Sequence, residues 1–128
     1  MRSLSLAVVG ADYPNKRGPT RRFEIALCRP GEPVHLVPEP GNPADPRAVM
    51  VLSERGVQIG YLTAERAPWI GSMIRRGREI AAIFQQATAY GAVIRVALDG
   101  AQPVVPSART DSPEANPDLY PDGQWSDE

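Results

Sequence analysis

The sequence predicts a small, mainly β domain in which six or seven short strands close into a barrel with one or two helices. Two observations predict it. Apolar residues recur at every second position in several short runs, the spacing of a half-buried strand. Between the runs stand glycine and proline, 11 and 14 in all, which end elements and fix turns. A chain of 128 residues supports one hydrophobic core rather than two, and 42% hydrophobic residues marks it as globular.

In chain order, Leu4, Leu6 and Val8 alternate with Ser5, Ala7 and Val9, a strand ending at Gly10. Residues 11–21 are polar and rich in turn formers, so they form a loop. Phe23, Ile25 and Leu27 alternate with Glu24, Ala26 and Cys28, which predicts a second strand. After the Pro30-Gly31 turn, Val34 to Val37 is strand again. Pro38 to Pro46 holds four prolines, which remove donors and fix the backbone, so this stretch is irregular. Ala48 to Leu52 and Val57 to Leu62 flank the turn Glu54-Arg55-Gly56 and form a hairpin. A helix comes next: Pro68 suits its first turn, Ile70, Met73 and Ile74 share a face, and Gly77 stands just past its end. Ile80 to Tyr90 fits both periods. Strand is preferred there, because Gly91 followed by Ile94, Val96 and Leu98 completes a hairpin. Mainly antiparallel strands at this spacing close most readily into a barrel. The ordered domain spans residues 1–100, and residues 101–128 are expected to be a disordered, acidic, proline-rich tail.

The net charge of −1 conceals an asymmetry. Residues 1–105 hold 13 basic and nine acidic side chains, whereas residues 106–128 hold one basic and six acidic. A mildly basic body is compatible with a polyanionic partner. The apolar stretch after Met1-Arg2-Ser3 is too short for a secretory signal, since Asp12 interrupts it before the roughly 15–30 residues a signal needs. No run approaches the ~18 apolar residues of a membrane helix. Cys28 is the single cysteine, which excludes an internal disulfide. The expected location is therefore cytoplasmic, with no membrane partner.

Catalytic and cofactor signatures are missing from the sequence. His35 and Cys28 are too few soft ligands for a structural zinc site. The one lysine, Lys16, comes after Pro14-Asn15 rather than a glycine-rich phosphate loop. Ser72 lacks the second glycine of a nucleophile elbow. The chain is expected to bind rather than to catalyse, with no cofactor.

Four stretches, in order, resemble the HIRAN family: Val8-Val9-Gly10-Ala11-Asp12-Tyr13, then Val37 through Val49 with its Asn42-Pro43-Ala44-Asp45 core, then Ile59-Gly60-Tyr61-Leu62, then Ala67-Pro68-Trp69-Ile70 onward to Gly77. The likeness covers roughly residues 5–98. It implies a modified OB-like barrel and, from the fork-remodelling helicases that carry the module, capture of single-stranded DNA at free 3′ ends. It also implies that hydrolase activity belongs to fused helicase or nuclease domains, so a helicase or nuclease is the implied protein partner. By the same resemblance, Asp45 takes the place of the aspartate that contacts the 3′-terminal hydroxyl, and Tyr13 that of an aromatic stacking on a base. The helicase version has an arginine before that aromatic and a second aromatic after it, where this sequence has Asp12 and Pro14.

Candidate nucleic-acid-binding residues are thus Tyr13, Asn42, Asp45 and the cations Lys16, Arg17, Arg21 and Arg22. Each has a structural alternative. Tyr13 could cover the barrel mouth, and the cations could be a solvated loop. Asn42 and Asp45 could serve only to bond nearby backbone N–H groups in their turn. Arg75, Arg76 and Arg78 suit the negative end of the helix dipole, and Trp69 is expected in the core beside Ile70. Two functions are open: a module for single-stranded DNA or free 3′ DNA ends, or a protein-interaction adaptor that uses the acidic tail and a barrel edge to recruit a DNA-processing partner.

Overall fold

The alternation at the N-terminus becomes β1, Ser3–Val9, in a computed structural model that describes residues 3–106. Five more strands are β2 Pro33–Pro38, β3 Val49–Leu52, β4 Gln58–Leu62, β5 Ile80–Thr88 and β6 Gly91–Leu98. Every neighbouring pair is antiparallel, and the order β1-β4-β3-β2-β5-β6 closes into a barrel. Among the described residues, closure leaves no open sheet edge. The longest ladders join β1 to β6, Ser3 opposite Ala97 through Val8 opposite Ala92, and β5 to β6.

Side chains that alternate inward fill the barrel. Leu6, Val8, Val49, Val51, Ile59, Phe84, Ile94 and Val96 form one apolar cluster. Late in its course β1 leaves β6 and pairs with β4, Val8 with Leu62 and Val9 with Tyr61. Two glycines permit that crossing. A Cβ on Gly60 would strike the Val9 carbonyl oxygen, and one on Gly91 would strike that of Val8. Both adopt positive φ, 157° and 154°, which a side chain disfavours.

Helix α2, Ala67–Arg75, turns Ala67, Ile70 and Met73 into the cluster, and Gly77 lies beyond it with φ 79°. Trp69 departs from expectation. It is 41% exposed while its neighbour Ile70 is fully buried, because adjacent helical positions point about 100° apart.

The larger correction concerns Phe23 to Cys28, most of which lie in helix α1, Arg21–Leu27, instead of a strand. Thr20 caps it, its hydroxyl accepting the Phe23 N–H at 3.1 Å. The buried positions are Arg21, Glu24 and Ile25, a helical spacing. Phe23 and Leu27, four apart, share the solvent face. The period-two pattern of Phe23, Ile25 and Leu27 therefore joined one buried residue to two exposed ones.

A buried carboxylate anchors α1. Glu24, 1% exposed, accepts the Ser53 hydroxyl at 2.7 Å and Arg55 Nε at 2.6 Å, which ties the helix to the β3–β4 turn. Cys28 sits at the end of α1, and burial pushes its thiol up to about 11. Beyond β6, residues 101–106 carry no regular structure. The segment expected to be a disordered tail lies outside the described residues from 107 onward. Among the described residues no helix is long and apolar enough to cross a membrane.

Candidate nucleic-acid interface

The chain leaves β1 at Gly10 and turns at once, the Tyr13 N–H donating to the Gly10 carbonyl at 3.2 Å. This turn holds Tyr13 out in solvent, 71% exposed. Asp12 beside it is committed, with its oxygens 2.6 and 3.3 Å from Arg22. The Arg22 guanidinium holds the Asp12 carboxyl below its ordinary value by that hydrogen bond and by charge. Arg22 also donates to the Ala89 carbonyl at 2.9 Å, which draws the β5–β6 turn to the Tyr13 loop. The next residue in that turn, Tyr90, is 81% exposed.

Arg21 and Arg22 thus belong to the first turn of α1 and not to a loop, and both are engaged. Arg21 is buried. Its Nε donates to Asn15 at 2.8 Å, its Nη1 to the Gly10 carbonyl at 2.9 Å, and its guanidinium lies 5.5 Å from the Tyr61 ring centre. Asn15 in turn donates to the Pro19 and Gln58 carbonyls. These bonds fix the 14–19 loop against β4. Lys16 and Arg17 remain exposed on that loop and pair with no acid among the described residues.

The β2–β3 connection carries the other half of the site. Asn42 Oδ1 accepts the N–H groups of Ala44 and Asp45 at 2.8 and 3.0 Å. Asp45 Oδ1 accepts the Arg47 N–H at 2.9 Å. The local backbone bonds that such a turn permits are therefore present. They also fix the Asp45 carboxylate, whose second oxygen accepts no hydrogen bond among the described residues. The Asn42 amide donates to Glu39 Oε1 at 2.8 Å, and the Tyr61 hydroxyl donates to the same oxygen at 2.7 Å.

Tyr61 is where the two halves meet. It borders a cleft of about 220 Å³ with Asn42 and Asp45, and a second of about 500 Å³ with Lys16, Arg17 and Arg21. Its ring and that of Tyr13 both approach Gly10. Asn42, Asp45, Lys16, Arg17 and Arg21 therefore converge around one tyrosine, with Tyr13 at the margin and Arg22 bracing the loops. Sequence reasoning placed Tyr61 in a strand and gave it no role. An aromatic with a polar tip, partly exposed beside two irregular loops, was the available signal. Glu39 and Tyr90 were missed as well, the first inside a proline-rich turn and the second at a hairpin tip before a glycine.

Elsewhere, Arg78 binds both carboxylate oxygens of Asp99, at 2.9 and 2.6 Å. It is an ion-pair partner more than a dipole complement. His35 is exposed on β2, and among the described residues no group of three His, Cys, Asp or Glu could hold a metal ion.

A closed antiparallel barrel whose loops gather aromatics, cations and a fixed carboxylate at one place defines a small β-barrel binding domain. The HIRAN domain model matches residues 1–94, and the chain belongs to that family, known for nucleic-acid binding. Two solved structures share the fold. One is the HIRAN domain of human HLTF, at 23% identity and TM-score 0.61, with 76% of this chain and 74% of that one covered. The other is a protein from Lactobacillus plantarum, at 18% identity and TM-score 0.56, with 76% and 93% covered. No curated protein matches the sequence.

Proposed function

We propose that this chain is a non-catalytic module that holds single-stranded DNA at a free 3′ end and serves DNA repair or processing beside a helicase or nuclease. The observation that carries the proposal is the state of Asp45. One carboxylate oxygen is pinned by the Arg47 N–H, and the other meets no donor among the described residues, in a cleft walled by Tyr61. Such an oxygen accepts a hydroxyl hydrogen and repels a phosphate, so one group supplies attraction and rejection together. Tyr13, exposed and tethered, offers a base-stacking face, a contact worth roughly 1–3 kcal/mol. Lys16 and Arg17 offer charge to the backbone phosphates. The lone Cys28 suits a reducing compartment such as the cytoplasm.

The test is competition between oligonucleotides that differ only in a 3′-hydroxyl or a 3′-phosphate. A charge-assisted hydrogen bond is worth about 1.5–3 kcal/mol, so the hydroxyl end should win by about tenfold or more. Asp45→Asn should shrink that margin while the fold survives, since asparagine keeps the oxygen that accepts the Arg47 N–H. Equal binding of both ends by the wild type would refute 3′-end recognition.

The adaptor reading has its own support in α1, where Phe23 and Leu27 are 58% and 47% exposed on one helix face. Failure to bind any oligonucleotide would favour it.

A further inference from the structure

The larger cleft beside Tyr61 has a feature that phosphate binding does not use. Glu39 lines it together with the cationic loop of Lys16 and Arg17. The carboxylate is half-buried and held at one end only, Oε1 accepting both the Tyr61 hydroxyl and the Asn42 amide at 2.7 and 2.8 Å. Oε2 accepts no hydrogen bond from the described residues. Arg21, a buried cation that also lines the cleft, gives its Nε and Nη1 donors to Asn15 and Gly10 and meets no acid among the described residues. The cleft is therefore lined by a carboxylate with one oxygen left to accept, by Met50 and Leu52 as a partly apolar wall, and by two cations that pair with no acid among the described residues.

A ligand that satisfies all three needs an anionic group, a flat apolar body and an outward N–H₂ donor. We propose that this cleft is a second nucleotide subsite, and that Glu39 selects there a base bearing an exocyclic amine (adenine, cytosine or guanine) over thymine or uracil. The phosphate meets Lys16 and Arg17, the base lies against Met50 and Leu52, and its amine donates to Glu39 Oε2. Thymine brings no amine. Its one ring N–H stands between two carbonyl oxygens, which the carboxylate repels. The inference rests on the proposed binding of single-stranded DNA and adds a base preference at one position of the strand. The strand crosses Tyr61 between the two clefts, so that position lies close to the 3′-terminal nucleotide at Asp45.

The experiment is an anisotropy series on the full chain with oligothymidylates ending in a 3′-hydroxyl. A single adenine or cytosine is moved through the last four positions. One position near the end should improve affinity about tenfold, and the others should change it less than twofold. Glu39→Gln supplies the sharper readout. Tyr61 and Asn42 still donate to its oxygen, so the free end becomes an N–H₂ donor, and the preference at that position should invert towards thymine. A merely structural Glu39 would not invert a base preference. If oligothymidylate binds and no position responds, the subsite is refuted while the proposed function stands. If no oligonucleotide binds at all, the proposed function fails and the subsite with it. Should Glu39→Gln melt early, the wild-type series alone still decides.

Discussion

Salt dependence of DNA binding separates the cations that are free from those already spent. Four basic residues lie within residues 16–22, yet Arg21 bonds Asn15 and Gly10, and Arg22 bonds Asp12 and Ala89. Of the four, Lys16 and Arg17 are left to meet phosphates. Each phosphate contact with a single strand contributes about −0.7 to the slope of log affinity against log salt. Two contacts give a slope of about −1.4, and therefore a loss of about sevenfold between 50 and 200 mM salt. Four contacts would give about −2.8 and a loss of about fiftyfold. Fluorescence anisotropy with a labelled 12-nucleotide strand at five salt concentrations measures the slope. The Lys16→Ala, Arg17→Ala double variant should bring it close to zero, and Arg22→Ala should leave it within error of the wild type. A wild-type slope near −2.8 would refute the assignment of Arg21 and Arg22 to scaffolding. An unchanged slope in the double variant would refute the phosphate role of the loop.

Other expectations concern the frame around the site. Glu24→Ala strands the buried Ser53 hydroxyl and releases Arg55, which is itself partly exposed, so urea denaturation should show a loss of about 2–3 kcal/mol; a loss under about 0.5 kcal/mol would contradict the anchoring role. Gly60→Ala drives a methyl group into the β1 backbone, and overpacking of this kind should cost about 2–4 kcal/mol, read as a fall of roughly 10–20 °C in melting temperature. The Cys28 thiol is raised to about 11 in the folded chain, so iodoacetamide at pH 8 should alkylate it about a hundredfold more slowly than the same thiol in urea. Because the folded value lies above the unfolded one, the associated stability is intact below about pH 9 and is lost as pH rises towards 11.

Much of the barrel was legible because period two survives in its strands. The residues of β1 and β6 that alternate inward in the sequence are among those that fill the core. The hairpin glycines stand where the turns fall. Residues 21–27 defeated the same rule. A short helix with one buried apolar residue, Ile25, has no apolar stripe to display, and its buried face is built from Arg21 and Glu24, types that composition assigns to solvent. The helix announces itself only through Thr20, and a threonine caps a helix only where the next residues turn helical. In the site, Asn42 and Asp45 were legible because a proline-rich turn and a motif pick them out. Tyr61 and Glu39 also lie in motif stretches, yet their roles were not legible, since they arise from a contact between residues 22 positions apart. That contact exists only once β4 lies beside β3 and the 38–48 loop folds over it.

In the proposed complex, single-stranded DNA lies across Tyr61, between the Asp45 turn and the Lys16 loop. Amide chemical-shift mapping on the 13.9 kDa chain tests it most directly, with a short oligonucleotide ending in a 3′-hydroxyl as titrant. Shifts should concentrate in residues 10–18, 39–47 and 60–62, with α2 and the far ends of β2 and β5 unmoved. Shifts confined to the exposed face of α1 or to α2, or none at saturating oligonucleotide, would contradict this placement.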